Sequence, residues 1–298
     1  MSPYQLFNVR ISSWSFSTKS GIFLIRDAVM MELEICVDSV ESAVAAEIGG
    51  AQRVELCSAL SEGGLTPSMG LIRAVRAQIN IGIYAMIRPR GGDFYYSGEE
   101  FSIMRDDIVY AAAAGVDGIV LGLTTPDGDI DVDRTRSLIE QARSVNRSIE
   151  VTFHRAIDMT RDLDKSLEDV IRTGAHRILT SGGAPSALAG SERTAALVHA
   201  AGNRIRIMVC GRVRAANIKQ IAQTSGAKEF HASLRKAVPS PVTYRNPTLH
   251  MGDAGSDEYT RHAVHAEDVK HLRQALDSIA SGHKRSVQVT GLNASQGS

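Results

Sequence analysis

Residues Glu32–Cys57, ELEICVDSVESAVAAEIGGAQRVELC, decide the fold. ELEICV opens this stretch and RVELC closes it; both alternate aliphatic with polar or thiol side chains. Between them Val40–Ile48 spaces alanines and aliphatics as a helix does. Strand, helix, strand in so short a span calls for parallel strands joined by a helical crossover.

The same unit recurs outward along the chain. Strands are expected to start near Glu32, Arg53, Gly82, Asp117, Ile149, His176, Arg204 and Lys228. Helical patterns fill Val40–Ile48, Met69–Gln78, Glu100–Ala114, Val132–Val145, Leu163–Thr173, Ser191–Ala201 and Ala215–Thr224. The class is therefore α/β, and eight such units match a single (β/α)8 TIM barrel, a fold of roughly 250 residues. A doubly wound open sheet fits less well, because no GxGxxG follows the first strand. An extra C-terminal helix is expected from Thr260 to Ile279, with His262 and His265 three apart on it, as a metal pair or a solvated surface pair.

The barrel domain is bounded at 31–280. Residues 1–30 hold six serines, three basic residues and one acid. They read as an extension or disordered leader with Met30 or Met31 as the start, or as an organelle-targeting segment. Residues 281–298, polar and rich in Gly and Ser, read as a flexible tail. With 33 basic against 33 acidic residues the chain lacks the basic surplus of a nucleic-acid binder. Three cysteines in 298 residues exclude a disulfide scaffold, and no apolar run reaches the ~20 residues of a membrane span. The composition suits a soluble intracellular protein.

Alternation assigns faces. Leu33, Ile35 and Val37 share one face of the first strand, and Glu34, Cys36 and Asp38 the other. Barrel helices cover the outer face, so the polar faces turn inward and bring Glu34, Glu55, Arg88, His154 and His231 into the lumen. Buried charges require partners, and Glu34, Glu55 and Arg88 form either a self-satisfied network or part of a site. For an enzyme, Glu34, Glu55 and His154 are the acid–base candidates.

Cys36 and Cys57 each follow a glutamate by two residues, at the ends of neighbouring strands. Such strands run about 4.8 Å apart, close to twice a metal–sulfur bond of ~2.3 Å. The pair reads as a Cu(I) site or as two small buried residues. Cys210 is a third thiol near the mouth. In IRPRGGDF (Ile87–Phe94), Arg88 and Arg90 offer forked donors to a carboxylate or phosphate, with Asp93 to orient them. Arg155 and Asp158 flank His154. Ser181, Gly182, Gly211, His231 and Ser233 lie where barrels bind anions, after the later strands.

EICVDSVESAVAAEIGGAQRVELCSALSEGGLTPS (Glu34–Ser68), IRPRGGDF, VTFHRAIDM (Val151–Met159) and RILTSGG (Arg177–Gly183) closely resemble the CutC copper homeostasis family, from Met31 to Leu276. The resemblance implies a TIM barrel, a homo-oligomer (dimer or tetramer), a cytoplasmic and sometimes nuclear location, and Cu(I) bound by Cys36 and Cys57. It leaves open an enzyme of unknown reaction acting on a small anionic substrate in the same mouth. The chain departs from the family pattern in its leader, in its His262–His271 segment, and in VCGRV (Val209–Val213), where relatives tend to carry a glycine-rich turn. Cys210 and Arg212 there weigh against an anion site.

Overall fold

In the structure, a computed structural model describing residues 31–249 and 257–290, eight parallel strands close into a barrel in sequence order. They are β1 (Glu32–Val37), β2 (Arg53–Leu56), β3 (Gly82–Met86), β4 (Gly118–Leu121), β5 (Glu150–Phe153), β6 (Arg177–Thr180), β7 (Arg206–Val209) and β8 (Glu229–Ala232). Helices α1 (Val40–Ile48), α2 (Met69–Arg76), α3 (Gly98–Ala113), α4 (Val132–Val145), α5 (Leu163–Thr173), α6 (Ser191–Ala201) and α7 (Ile218–Ser225) alternate with them. Side chains at the helix starts fix the crossovers. Ser39 caps α1 by accepting from the Ser42 amide, Asp131 caps α4 from Arg134, and Ser97 and Glu100 form a reciprocal capping box on α3.

Two corrections concern the C-terminal region. Thr260–Ala263 forms a strand, β10, paired antiparallel with β9 (Lys236–Pro239). The last helix, α8, starts at Ala266 and runs through Thr290. His262 therefore sits on a strand and His265 before the helix, so they share no helical face. The helix also passes the expected start of the tail, because Gly282 costs a helix only about 1 kcal/mol relative to alanine and no proline follows it. The leader 1–30 and the segment 291–298 lie outside the described residues.

The apolar core is the layer between strands and helices, where Leu33, Ile35, Val37, Val54, Leu56, Val151 and Phe153 are all fully buried. The lumen face differs in kind. Two small apolar groups occupy it, Cys36, Cys57, Tyr84, Met86 and Val120 on one side and Leu179, Met208 and Cys210 on the other. Below them lies an ionic floor. Arg53 bonds Glu34 at 2.7 Å and also Glu229 and Glu32, while Arg177 bonds Glu229 and, at 3.1 Å, Glu150. The Tyr84 ring stacks against both guanidiniums, 5.5 and 5.3 Å from its centroid, and its hydroxyl donates to Glu150 at 2.6 Å. The buried network thus joins Glu34 to Arg53, Arg177 and Glu229. Arg88 is no part of it and donates instead to the carbonyls of Glu62, Gly64 and Gly92.

Gly118 makes room for the Tyr84 ring. A Cβ there would lie 2.3 Å from two ring carbons and 3.0 Å from the Glu150 carbonyl. The ring, held between two arginines, has nowhere to go. Gly118→Ala is expected to cost about 1–3 kcal/mol, read as a lower thermal or urea midpoint; unchanged stability would show that the floor yields.

Candidate functional site

Strand register brings the thiol corner together at the C-terminal end of the barrel. Cys36 on β1 lies opposite Glu55 on β2, and Glu34 lies opposite His231 on β8. Cys57 falls just past β2, where its amide donates to the Val37 carbonyl at 2.9 Å. The two cysteines are therefore staggered rather than side by side, with Cys57 nearer the rim. One ligand atom each from Cys36, Glu55 and His231 lie within 4.8 Å of one another. Cys57 Sγ lies 3.7 Å from Glu55 Oε2 and is hydrogen-bonded to Cys36. His231 Nδ1 meets Glu34 Oε1 at 2.7 Å.

These contacts set the charges. The Cys57 hydrogen bond is the main reason that the Cys36 thiol falls to about 5; burial opposes this and His231 adds to it. The same bond, with burial, pushes Cys57 well up. Burial and the adjacent Cys36 charge hold the Glu55 carboxyl well above its ordinary value. Burial disfavours a charged His231, yet Glu55, Cys36 and Glu34 outweigh it and raise the imidazole. Glu34 is also buried, but Arg53 and His231 bring it down to about 2. These contacts favour the thiolate at Cys36 and the carboxylate at Glu34, the imidazolium at His231, and the protonated forms of Cys57 and Glu55. Glu34 is held as a counter-ion by Arg53 and His231.

His154 ends β5. Its Nδ1 accepts from the Ala156 amide at 3.2 Å, so in the neutral ring Nε2 carries the proton. Burial, then the Arg88 charge, lowers the ring to about 3 and keeps it neutral. Nε2 is buried without a hydrogen-bond partner. Gly122 on the preceding loop leaves the space, since a Cβ there would stand 2.4 Å from Nδ1.

Above both groups opens a cavity of about 880 Å³ lined by Cys36, Glu55, His154 and His231. Arg88, Asp93, Arg155, Asp158, Gly211 and Ser233 also line it. Other expected anion binders are employed elsewhere. Arg90 braces its own loop through Glu100 at 2.6 Å, Asp93 at 3.0 Å and the Tyr95 carbonyl at 2.6 Å. The amides of Ser181 and Gly183 and the Ser181 hydroxyl donate to Asp158, while Gly182 donates to Thr180 Oγ1 at 2.8 Å. A carboxylate of the chain itself occupies that nest. Arg155 joins it, bonding Asp158 at 2.8 Å. Two cavity arginines escaped the sequence reading, Arg214 after β7 and Arg235 after β8, while Arg212, read there as weighing against an anion site, also lines the cavity.

The CutC family's sequence model matches residues 31–236, a span that holds all eight barrel strands and the thiol corner. The chain belongs to the CutC family. A family protein CutC of Chromobacterium violaceum is 49% identical over 245 residues, 82% of this chain and 98% of that one. A copper homeostasis protein cutC homolog of Homo sapiens is 44% identical over 248 residues, 83% and 88% of the two chains. The crystal structure of a CutC protein from Streptococcus agalactiae superposes with a TM-score of 0.62 at 35% identity, covering 68% of this chain and 98% of that one. This CutC chain has, among the described residues, no helix long and apolar enough to cross a membrane.

Proposed function

We propose that this chain serves copper homeostasis by binding Cu(I) at the thiol corner, through Cys36 and Cys57. Relatives named copper homeostasis protein support the role. The observation that carries the binding is chemical: a thiol brought down to about 5 stands beside a second thiol and an imidazole. A soft monovalent ion selects thiolate and imidazole donors over carboxylate and water. Cys36 supplies a thiolate already formed, so binding there displaces no proton. Glu34 holds His231 by Nδ1 and orients its ring, the arrangement in which a carboxylate fixes a metal-facing histidine.

Anaerobic titration of the reduced protein against a competing Cu(I) chelator tests this. About one ion per chain is expected, since the corner offers a single set of soft donors. Replacing both thiols, Cys36→Ser with Cys57→Ser, should weaken binding by more than about 100-fold, the upper range seen when even outer-shell partners are lost. Unchanged affinity in that variant would refute the proposal.

A further inference from the structure

We propose that the mouth cavity is a binding site for a small phosphomonoester, gripped through its phosphate by Arg212 and Arg214. This stands apart from the copper reading, because it uses other residues, on the loop after β7.

The loop after β7 carries the first observation. Arg212 adopts φ +58°, a left-handed backbone that side-chain-bearing residues rarely take. Asn217 clamps it from both sides: Nδ2 donates to the Arg212 carbonyl and Oδ1 accepts from the Arg214 amide, each at 2.9 Å. A strained arginine turn held in this way is a positioning device. The second observation is charge. The other cavity arginines are engaged, Arg88 with carbonyls, Arg155 with Asp158, and Arg235 with Asp38 at 3.2 Å. Arg212 and Arg214 pair with no carboxylate among the described residues; the Arg214 guanidinium bonds the Val213 carbonyl at 2.7 Å. Two unmatched guanidiniums at the rim of a concave site attract a dianion, and their forked donors suit phosphate oxygens. They follow β7, close in sequence to Ser233 after β8, in the quarter where barrels of this kind hold phosphate.

The depth of the cavity gives the rest of the ligand. At about 880 Å³ it is far larger than a phosphate ion, so the phosphate must carry an organic body. His154 Nε2 and Arg88 Nε are among the buried donors without a partner. Both residues line the cavity, at 4% and 5% exposure. They call for hydroxyl or carbonyl oxygens on that body. Met86, Phe94 and Leu179 supply apolar wall between.

Thermal unfolding and calorimetric titration at fixed ionic strength provide the test, with glycerol phosphate, glycerol, inorganic phosphate and malate as probes. Binding to the folded state alone raises the melting midpoint. Glycerol phosphate is expected to bind saturably and to stabilise more than inorganic phosphate, with glycerol inert and malate weaker. Arg212→Ala with Arg214→Ala should weaken glycerol phosphate at least tenfold while leaving the ligand-free midpoint unchanged, since both side chains are exposed. His154→Gln should weaken glycerol phosphate and spare inorganic phosphate. No saturable binding, undiminished binding in the double arginine variant, or malate binding as tightly as glycerol phosphate would overturn the proposal.

Discussion

Arg53→Ala is expected to destabilise the barrel by about 3–5 kcal/mol, the range found when one partner of a buried ion pair is removed. For a domain of this size that is a fall in melting midpoint of roughly 6–20 °C. Arg53 is 4% exposed and is the common partner of Glu34, Glu229 and Glu32. Removing it leaves Glu34, wholly buried, with His231 as its remaining close cation. The loss is therefore more than a missing hydrogen bond; the lumen acids keep one cation fewer, Glu229 with Arg177 and Glu34 with His231. Acid titration distinguishes this from simple loss of packing. Because Glu34 is held at about 2, below an unfolded carboxyl near ~4.3, its contribution is complete above the unfolded value and disappears as pH falls through about 2. Without Arg53 the folded carboxyl rises, so the acid loss should begin at higher pH. Adding Glu34→Gln to Arg53→Ala should recover part of the stability, a non-additivity that an urea titration of the four proteins reads directly. A drop below about 1 kcal/mol, or strict additivity, would show that the floor is not held by this arginine.

Local periodicity made the barrel legible and left its pairings hidden. Expected and observed strand starts differ by at most two residues, because each β-branched run alternates and each helix has its own period. The same rule sends Glu34 and Cys36 inward. It applies equally to Arg53, which shares a face with Glu55, yet a long arginine at the base of a strand gives no sign of which acids it will meet. Register is a tertiary property. Matching Glu-x-Cys motifs suggest level cysteines, but the shear of a closed barrel staggers the strands and sets Cys36 against Glu55. Long side chains escape periodicity as well: Arg88 lies in the mouth as expected, while its guanidinium turns to the carbonyls of Glu62, Gly64 and Gly92. The glycine-rich Ser181–Gly183 turn looks open to an anion until Asp158, from the previous crossover, accepts its amides. Thr260–Ala263 reads as helix because its strand partner, Lys236–Pro239, is remote in sequence.

Thiol titration should separate the three cysteines. Ultraviolet thiolate absorbance of the reduced, metal-free protein is expected to persist from neutral pH downward and to collapse near pH 5, the value to which Cys36 is brought. At pH 7 that leaves about a hundred thiolates per thiol at this position, against a few per cent for an ordinary cysteine near ~8.5. Burial raises Cys210, and Cys57 is raised by its bond to Cys36 and by burial, so neither contributes at neutral pH. Cys36→Ser should abolish the neutral-pH band. Cys57→Ala should keep a band but move its midpoint upward by a unit or more, because the donor that solvates the Cys36 anion is gone and burial then acts unopposed by it. His231→Gln should shift it the same way through loss of the imidazolium. Each unit is about 1.4 kcal/mol of thiolate stabilisation, so the two shifts measure what Cys57 and His231 each give. The consequence for metal binding follows by linkage: Cu(I) uptake near pH 7 should release protons from Cys57 and His231 and none from Cys36. A band that survives Cys36→Ser, or one that titrates near the ordinary thiol value, would remove the preformed thiolate on which the copper site depends.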